Sequence, residues 1–304
     1  MAVDLSVNLA GIELSNPVVL ASGTAGYGTE LAPFIDLRKL GAIVLKSVTV
    51  EPRGGNRGPR IWETPCGLLN SIGLENVGID ALVEDVLPAV ADLEVPVFAS
   101  VAGDTVRDFA RLGARLEGAP GVVGLEVNVS CPNVERGGIQ FGDDPGATKA
   151  VVKAVRENCS LPLFVKLSSA VTSITLIAEA AGEAGASGLS LINTIPGLAV
   201  DHAKRRPRLG GVTGGLSGPA IKPVALKAVW DCHRATGLPI LGGGGVYDAV
   251  DALEFLIAGA TAVSVGSAVF QDPLRIAAIV DGLPRAIDEA GGSSAREMTG
   301  TLRA

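Results

Sequence analysis

Aromatic residues make up only 4% of this 304-residue chain. A core must therefore be filled mostly by Val, Leu, Ile and Ala, a composition that suits a buried parallel sheet covered by helices. There is no basic surplus: 25 Lys and Arg face 32 Asp and Glu, for a formal net charge of −7. That balance argues against a nucleic-acid ligand, whose phosphates need neutralising. Cysteine is sparse, with Cys66, Cys131, Cys159 and Cys232 spread along the chain. No CxxC pair and no Cys/His cluster occurs, which argues against a zinc or iron–sulfur site within the chain. His202 and His233 have no metal-ligand spacing and are expected at the surface. No apolar run reaches the roughly 18 residues of a membrane span. The start, MAVDLSVNLAG, has no basic opening and no long apolar stretch. No signal peptide is expected, and the setting is taken as reducing cytoplasm with free thiols.

What is present is alternation. Eight short apolar runs recur: VVLAS at 18–22, AIVLKS at 42–47, VPVFASV at 95–101, VGLEVNV at 123–129, PLFVKL at 162–167, SGLSLIN at 187–193, LPILGGG at 238–244 and TAVSVGS at 261–267. A helical pattern is read after each, clearest at 104–117, 144–157, 172–184, 219–235 and 247–258. Asp104 and Thr172 stand as N-caps, and Gly182, Gly185, Gly237 and Gly259 as end signals. Eight β/α units predict a (β/α)8 TIM barrel, an α/β fold, as a single domain over 1–304. Residues 3–17 predict an N-terminal β-hairpin closing the barrel's lower end. Residues 48–77 read as a long irregular insertion after strand two. A doubly wound sheet is disfavoured, because no GxGxxG occurs.

Barrel enzymes carry their chemistry at the C-terminal ends of the strands. Here those ends read Ser22-Gly23, Lys46-Ser47, Ser100, Asn128, Lys166, Asn193-Thr194, four glycines at 242–245, and Gly266-Ser267. One polar residue at a strand end is ordinary, since strand ends meet solvent. Two lysines extending apolar strands are not, because lysine is almost never buried without a partner. Lys46 and Lys166 in one mouth imply an anionic ligand. The glycines after strands seven and eight occupy the usual barrel phosphate site, built from backbone N–H groups and a helix N-terminus. Four glycines in a row exceed the need of a tight turn, and close backbone approach to a ligand explains them. A phosphate site beneath a mouth lined with amides points to flavin mononucleotide (FMN) rather than a sugar phosphate.

The chain resembles the class 1 dihydroorotate dehydrogenases. The matching pieces are LASGT at 20–24, VLKSVT at 44–49, ETPCGLLNSIGLENVG at 63–78, EVNVSCPN at 126–133 and LFVKLS at 163–168. They continue with LINTIPG at 191–197, GGLSGPAIKPVALK at 214–227 and VSVGSAVF at 263–270. Cysteine within NVSCPN resembles class 1, and the insertion resembles subclass B. The resemblance implies oxidation of dihydroorotate to orotate in pyrimidine biosynthesis, with FMN in this chain. It further implies FAD and a 2Fe–2S cluster on an electron-transfer partner subunit, NAD as acceptor, and a homodimer core within a heterotetramer. A fumarate-using subclass A enzyme and a dihydropyrimidine dehydrogenase-type flavin subunit acting on uracil or thymine remain the alternatives. A tRNA dihydrouridine synthase is disfavoured by the acidic charge.

Site roles implied by the resemblance fall on named positions. FMN contacts are expected from Ser22, Lys46, Ser47, Ser100, Asn128, Lys166, Ile192, Gly218, Gly244, Gly245, Gly266 and Ser267. Substrate contacts are expected from Lys46, Asn70, Ser71, Ile72, Gly73, Leu74, Asn128, Asn193 and Thr194. Cys131 is expected as the base. Many relatives carry asparagine where this chain has Ser100, which offers one hydroxyl instead of an amide. The paired glycines of VERGGIQFG at 134–142 suggest a mobile lid beside Cys131. Cys159 and Cys232 are expected in helices as small apolar residues, with Cys66 partly exposed in the insertion. The arginines of RGGNRGPR and KRRPR are expected as solvated loop charges, with a partner-facing surface as the alternative for the first group.

Overall fold

The structure is a computed structural model that describes residues 3–130, 132–133 and 139–303. Eight strands form a closed barrel: Val18–Leu20, Ala42–Val44, Val97–Val101, Val122–Asn128, Leu163–Leu167, Gly188–Leu191, Ile240–Gly243 and Ala262–Val265. Every neighbouring pair is parallel, and strand eight returns to strand one through Val263 opposite Val18 and Val265 opposite Leu20. Seven strands fall within their apolar runs and the fourth begins one residue early at Val122, so the fold is a (β/α)8 TIM barrel. Pairing generally stops before the runs do, which leaves residues such as Ser22, Lys46 and Asn193 beyond the ladder at the mouth.

Helices Val106–Leu116, Pro145–Arg156, Ile174–Glu183, Lys222–Thr236 and Ala249–Ala258 cover the barrel close to their expected bounds. Arg275–Glu289 follows strand eight. Strand one is the exception to the strand–helix alternation. It leads into turns and the short 3-10 turn Leu37–Lys39. Gly23, Gly26 and Gly28 all adopt positive φ there, and Pro33 follows, so no regular helix can propagate. Two caps shift by one residue. Thr105, not Asp104, caps its helix, because its hydroxyl accepts from the Asp108 N–H while the Asp108 carboxylate accepts from the Thr105 N–H. Ser173, not Thr172, precedes the helix that begins at Ile174.

The N-terminal hairpin pairs Val7–Leu9 with Ile12–Leu14 across Ala10 and Gly11, both at positive φ. Asn16 ties it to the entry ends of strands one and two, accepting from the Val18 N–H at 3.0 Å and donating to the Lys39 carbonyl at 2.8 Å. The insertion is more ordered than expected. Ile61–Thr64 and Gly67–Asn70 form two strands of a four-stranded antiparallel sheet, completed by Gly214–Ser217 and Ile195–Gly197. Its strands are three or four residues long; Ile61–Thr64 and Gly67–Asn70 pair across Pro65 and Cys66, but Gly67–Asn70 also pairs with Gly214–Ser217, far along the chain. Runs so short show no alternation, and the pairing that builds the sheet is not local.

Within the barrel wall, Phe98 and Phe164 meet edge to face with ring centroids 5.5 Å apart. Two glycines make room for them. A Cβ on Gly124 would stand 2.7 Å from the Phe98 ring, and one on Gly188 would stand 2.4 Å from the Phe164 ring and 2.7 Å from the Pro239 carbonyl oxygen. The Pro239 carbonyl cannot retreat, since it accepts from the Leu189 N–H at 2.9 Å. Gly188→Ala should therefore cost about 1–3 kcal/mol of stability by overpacking. The check is a lower urea midpoint at unchanged m-value.

Candidate active site

A cavity of about 860 Å³ opens at the C-terminal ends of the barrel strands. Strand one brings Ser22, whose hydroxyl donates to the Leu45 carbonyl at 2.8 Å. The segment after strand two brings Lys46 and Ser47, and among the described residues no carboxylate pairs with the Lys46 ammonium. Strands four and five bring Asn128 and Lys166, which lie opposite each other in register. Strand six leads into Ile192, Asn193 and Thr194, also on the cavity wall.

The insertion supplies one side of the mouth through Asn70, Ser71, Ile72, Gly73 and Leu74. Asn70 is held by donating to the Gly215 carbonyl at 3.2 Å, so the sheet that joins 61–70 to 195–217 fixes this rim. Asn76 anchors the turn beyond it, accepting from the Thr49 and Gly78 N–H groups. Gly73 and Leu74 both take positive φ, a reversal that leaves residues 70–74 facing the cavity.

Gly218, Gly244, Gly245, Gly266 and Ser267 line the remaining side. Gly218, Gly244 and Gly245 have φ of 96°, 126° and 88°. A Cβ on Gly245 would stand 2.8 Å from the Gly218 carbonyl oxygen, and one on Gly244 would stand 2.9 Å from Ala225 Cβ. Only glycine lets these two loops touch and present bare backbone to a ligand. The helix after Ser267 is a single turn, Ala268–Gln271, so backbone at glycine carries more of this wall than a helix end does. The glycine cradle and Lys46, which has no carboxylate partner among the described residues, together fit an anionic, phosphorylated cofactor.

Below the floor lies a group that sequence reasoning passed over. Glu126, on strand four, is buried, with only 3% of its side chain exposed. It accepts from Lys166 Nζ at 3.3 Å, from Ser100 Oγ at 3.1 Å and from Ser190 Oγ at 2.8 Å. Ser100 is fully buried and does not line the cavity. It meets Ser47 Oγ at 2.8 Å instead, so it stands behind the wall that Ser47 forms. Since the single hydroxyl hydrogen of Ser100 goes to Glu126, Ser47 must be the donor in that pair. Glu126 had a visible signal. It is a charge inside an apolar run, two residues before Asn128 and so on the same face of the strand.

Arg53 was also missed. It lines the cavity and pairs with Asp104 at 2.5 Å, while Arg60 pairs with Glu75 at 2.5 Å and donates to the Asn56 and Gly54 carbonyls. These two are partly buried structural charges rather than solvated ones. Arg208 likewise stacks over Trp62 at 4.5 Å and pairs with Asp201 at 3.2 Å. His202 is exposed as expected, but His233 is half-buried against Gly259 and Gly300. Among the described residues no group of three or more His, Cys, Asp or Glu could hold a metal ion. No helix among them is long and apolar enough to cross a membrane.

Cys131 and most of the 134–142 segment lie outside the described residues. Ser130 precedes Cys131 and is held on both sides. Its N–H donates to Asn128 Oδ1 at 3.2 Å, and its hydroxyl accepts from Asn193 Nδ2 at 2.8 Å.

A cleft at the C-terminal face of a TIM barrel, with a glycine cradle and lysines among amides, defines a barrel enzyme for anionic ligands. The family model for dihydroorotate dehydrogenase matches residues 4–287, and the chain belongs to that family. It is 53% identical over 300 residues to the "Dihydroorotate dehydrogenase B (NAD(+)), catalytic subunit" of Desulforudis audaxviator, covering 99% of this chain and 98% of that protein. The like-named subunit of Geotalea uraniireducens is 52% identical over 299 residues, 98% of each chain. That of Geobacter sp. strain M21 is 50% identical over the same length and shares.

The other thiols separate by burial. Cys232 lies in the helix Lys222–Thr236, and Cys159 lies just past the end of its helix, not within it. Burial pushes their thiols up to about 12 and about 11 respectively. Cys66 is exposed at the tip of the insertion hairpin. At pH 8 the two buried groups stay protonated, so iodoacetamide should label Cys66 in the native protein and spare Cys159 and Cys232 until denaturation. Peptide mass spectrometry reads the pattern directly.

Proposed function

We propose that the chain oxidises dihydroorotate to orotate as the FMN-bearing catalytic unit of an NAD-linked dihydroorotate dehydrogenase. What carries this reading is the convergence of Lys46, Asn70, Asn128, Asn193 and Thr194 on one cavity that is backed by the glycine cradle. In this reading residues 1–304 form a single cytoplasmic FMN-binding barrel. Electrons pass to NAD through a partner subunit carrying FAD and a 2Fe–2S cluster, and two such barrels form the core of a heterotetramer. The relatives' designation as catalytic subunits that use NAD(+) favours this over fumarate as acceptor.

The reaction removes a proton from C5 of dihydroorotate and a hydride from C6. FMN, when bound, supplies the hydride acceptor. Ser22, Lys46, Ser47, Asn128, Lys166, Ile192, Gly218, Gly244, Gly245, Gly266 and Ser267 hold it. Lys46, free of any carboxylate partner among the described residues, is available to the substrate's own carboxylate. Asn70, Asn128 and Asn193 each offer a donor and an acceptor to the pyrimidine ring. Residues 70–74 close over one edge. Cys131 takes the C5 proton. Ser130, which precedes it in the chain, is bonded to both Asn128 and Asn193. A free thiol ionises near 8.5, so proton removal should accelerate as pH rises through the thiol range.

Anaerobic mixing with dihydroorotate should bleach the protein's yellow flavin absorbance. An unchanged spectrum, with bleaching by dihydrouracil instead, would transfer the reading to a dihydropyrimidine dehydrogenase-type reaction. Cys131→Ser should slow that bleaching by about 100-fold or more, the scale of a general base, while orotate affinity stays within about threefold. Stopped-flow absorbance and orotate titration separate the two. Equal losses in both would make Cys131 a binding or folding element.

A further inference from the structure

Glu126 has no place in the reaction described above, yet it is the most thoroughly buried carboxylate beside the site. Its side chain is 3% exposed and that of its partner Lys166 is 15% exposed. Leaving a carboxylate there is unfavourable unless it is paired and hydrogen-bonded. Both conditions are met. One oxygen takes Lys166 Nζ and Ser100 Oγ, and the other takes Ser190 Oγ. The donors come from strands three, five and six, and the acceptor from strand four. Three of the groups it governs face the cavity: Lys166 and Ser190 directly, and Ser47 through Ser100. Glu126 and Ser100 do not.

We propose that Glu126 is a positioning residue that holds the Lys166 ammonium at the cavity floor, where Lys166 meets the cofactor. A lysine stem has four rotatable bonds, and its head group is a compact point charge. Without a fixed counter-charge beneath it, the ammonium would swing toward the solvent in the mouth. With Glu126 in place its position is set by the barrel strands. The two hydroxyls are set at the same time, since Ser190 and Ser47 both spend their single hydrogen on this network and offer lone pairs to the cavity. The inference rests on the reading of Lys166 as a cofactor contact.

The test is a double-mutant cycle on FMN affinity, read by quenching of flavin fluorescence as FMN is added to the stripped protein. Lys166→Met should weaken FMN about tenfold or more, and Glu126→Gln should do the same. Because Glu126 acts through Lys166, the double variant should bind within about twofold of Lys166→Met alone, a strongly non-additive cycle. Melting of the stripped proteins gives a second readout. Each single variant should melt below the parent, and the double above the singles, since removing both charges leaves neither unpaired. Parental affinity in Glu126→Gln, or additive losses in the double, would overturn the positioning role. Parental affinity in Lys166→Met would instead remove the cofactor contact itself, and the inference with it. Should a single variant fail to fold, recovery of a folded double supports the pair, and an unfolded double overturns it.

Discussion

Closure of the parallel sheet is the constraint on which the rest of the molecule depends. Strand eight pairs with strand one, so the barrel has no free edge and every strand's backbone groups are met laterally. Closure also fixes which residues share a height. Ser100 stands opposite Glu126, Asn128 opposite Lys166, and Lys166 opposite Ser190. A polar layer drawn from four strands exists only because register around the ring is locked. A one-residue slip would turn Lys166 and Glu126 to the helix side, where neither would find a partner.

Above that layer the mouth is assembled from pieces of different kinds. The strand ends give rigid side chains, the positive-φ glycines give bare backbone, and the insertion gives a wall of its own. The wall is not part of the barrel's ladder, yet Asn70 reaches back to the Gly215 carbonyl beside Thr194. The amides of the cavity wall are thus held by hydrogen bonds to one another's neighbours, with Ser130 caught between Asn128 and Asn193. This is preorganisation in the plain sense: the groups need not rearrange to meet a ligand.

Much of this was legible in the sequence. The eight strands were plain because each is a short β-branched run, and the mouth residues were plain because strand ends are where barrels place chemistry. What was not legible had physical reasons. Residues 61–64 and 67–70 are too short to alternate, and although they pair with each other across Pro65 and Cys66, the sheet is completed only by 214–217 and 195–197, far along the chain. Arg53 and Arg60 sit in a glycine-rich loop whose composition reads as solvated, while their partners Asp104 and Glu75 are fixed only by the fold. Ser100 was placed against the cofactor by resemblance, and the geometry puts a second serine in front of it. Glu126 was visible as a single charge in an apolar strand, but its role was not, because its three donors come from three other strands.

The four-stranded sheet at the rim has a consequence for how the molecule assembles. Its halves, 61–70 and 195–217, are separated by the third, fourth, fifth and sixth barrel strands. Contacts across so long an intervening chain carry a loop-closure cost that shorter-range contacts do not. The barrel wall between the halves must largely be in place before they can meet. The rim of the cavity is therefore a late structure, completed after the floor. Local opening of the native protein should begin there, which places the most easily undone part of the fold where a ligand has to enter and leave.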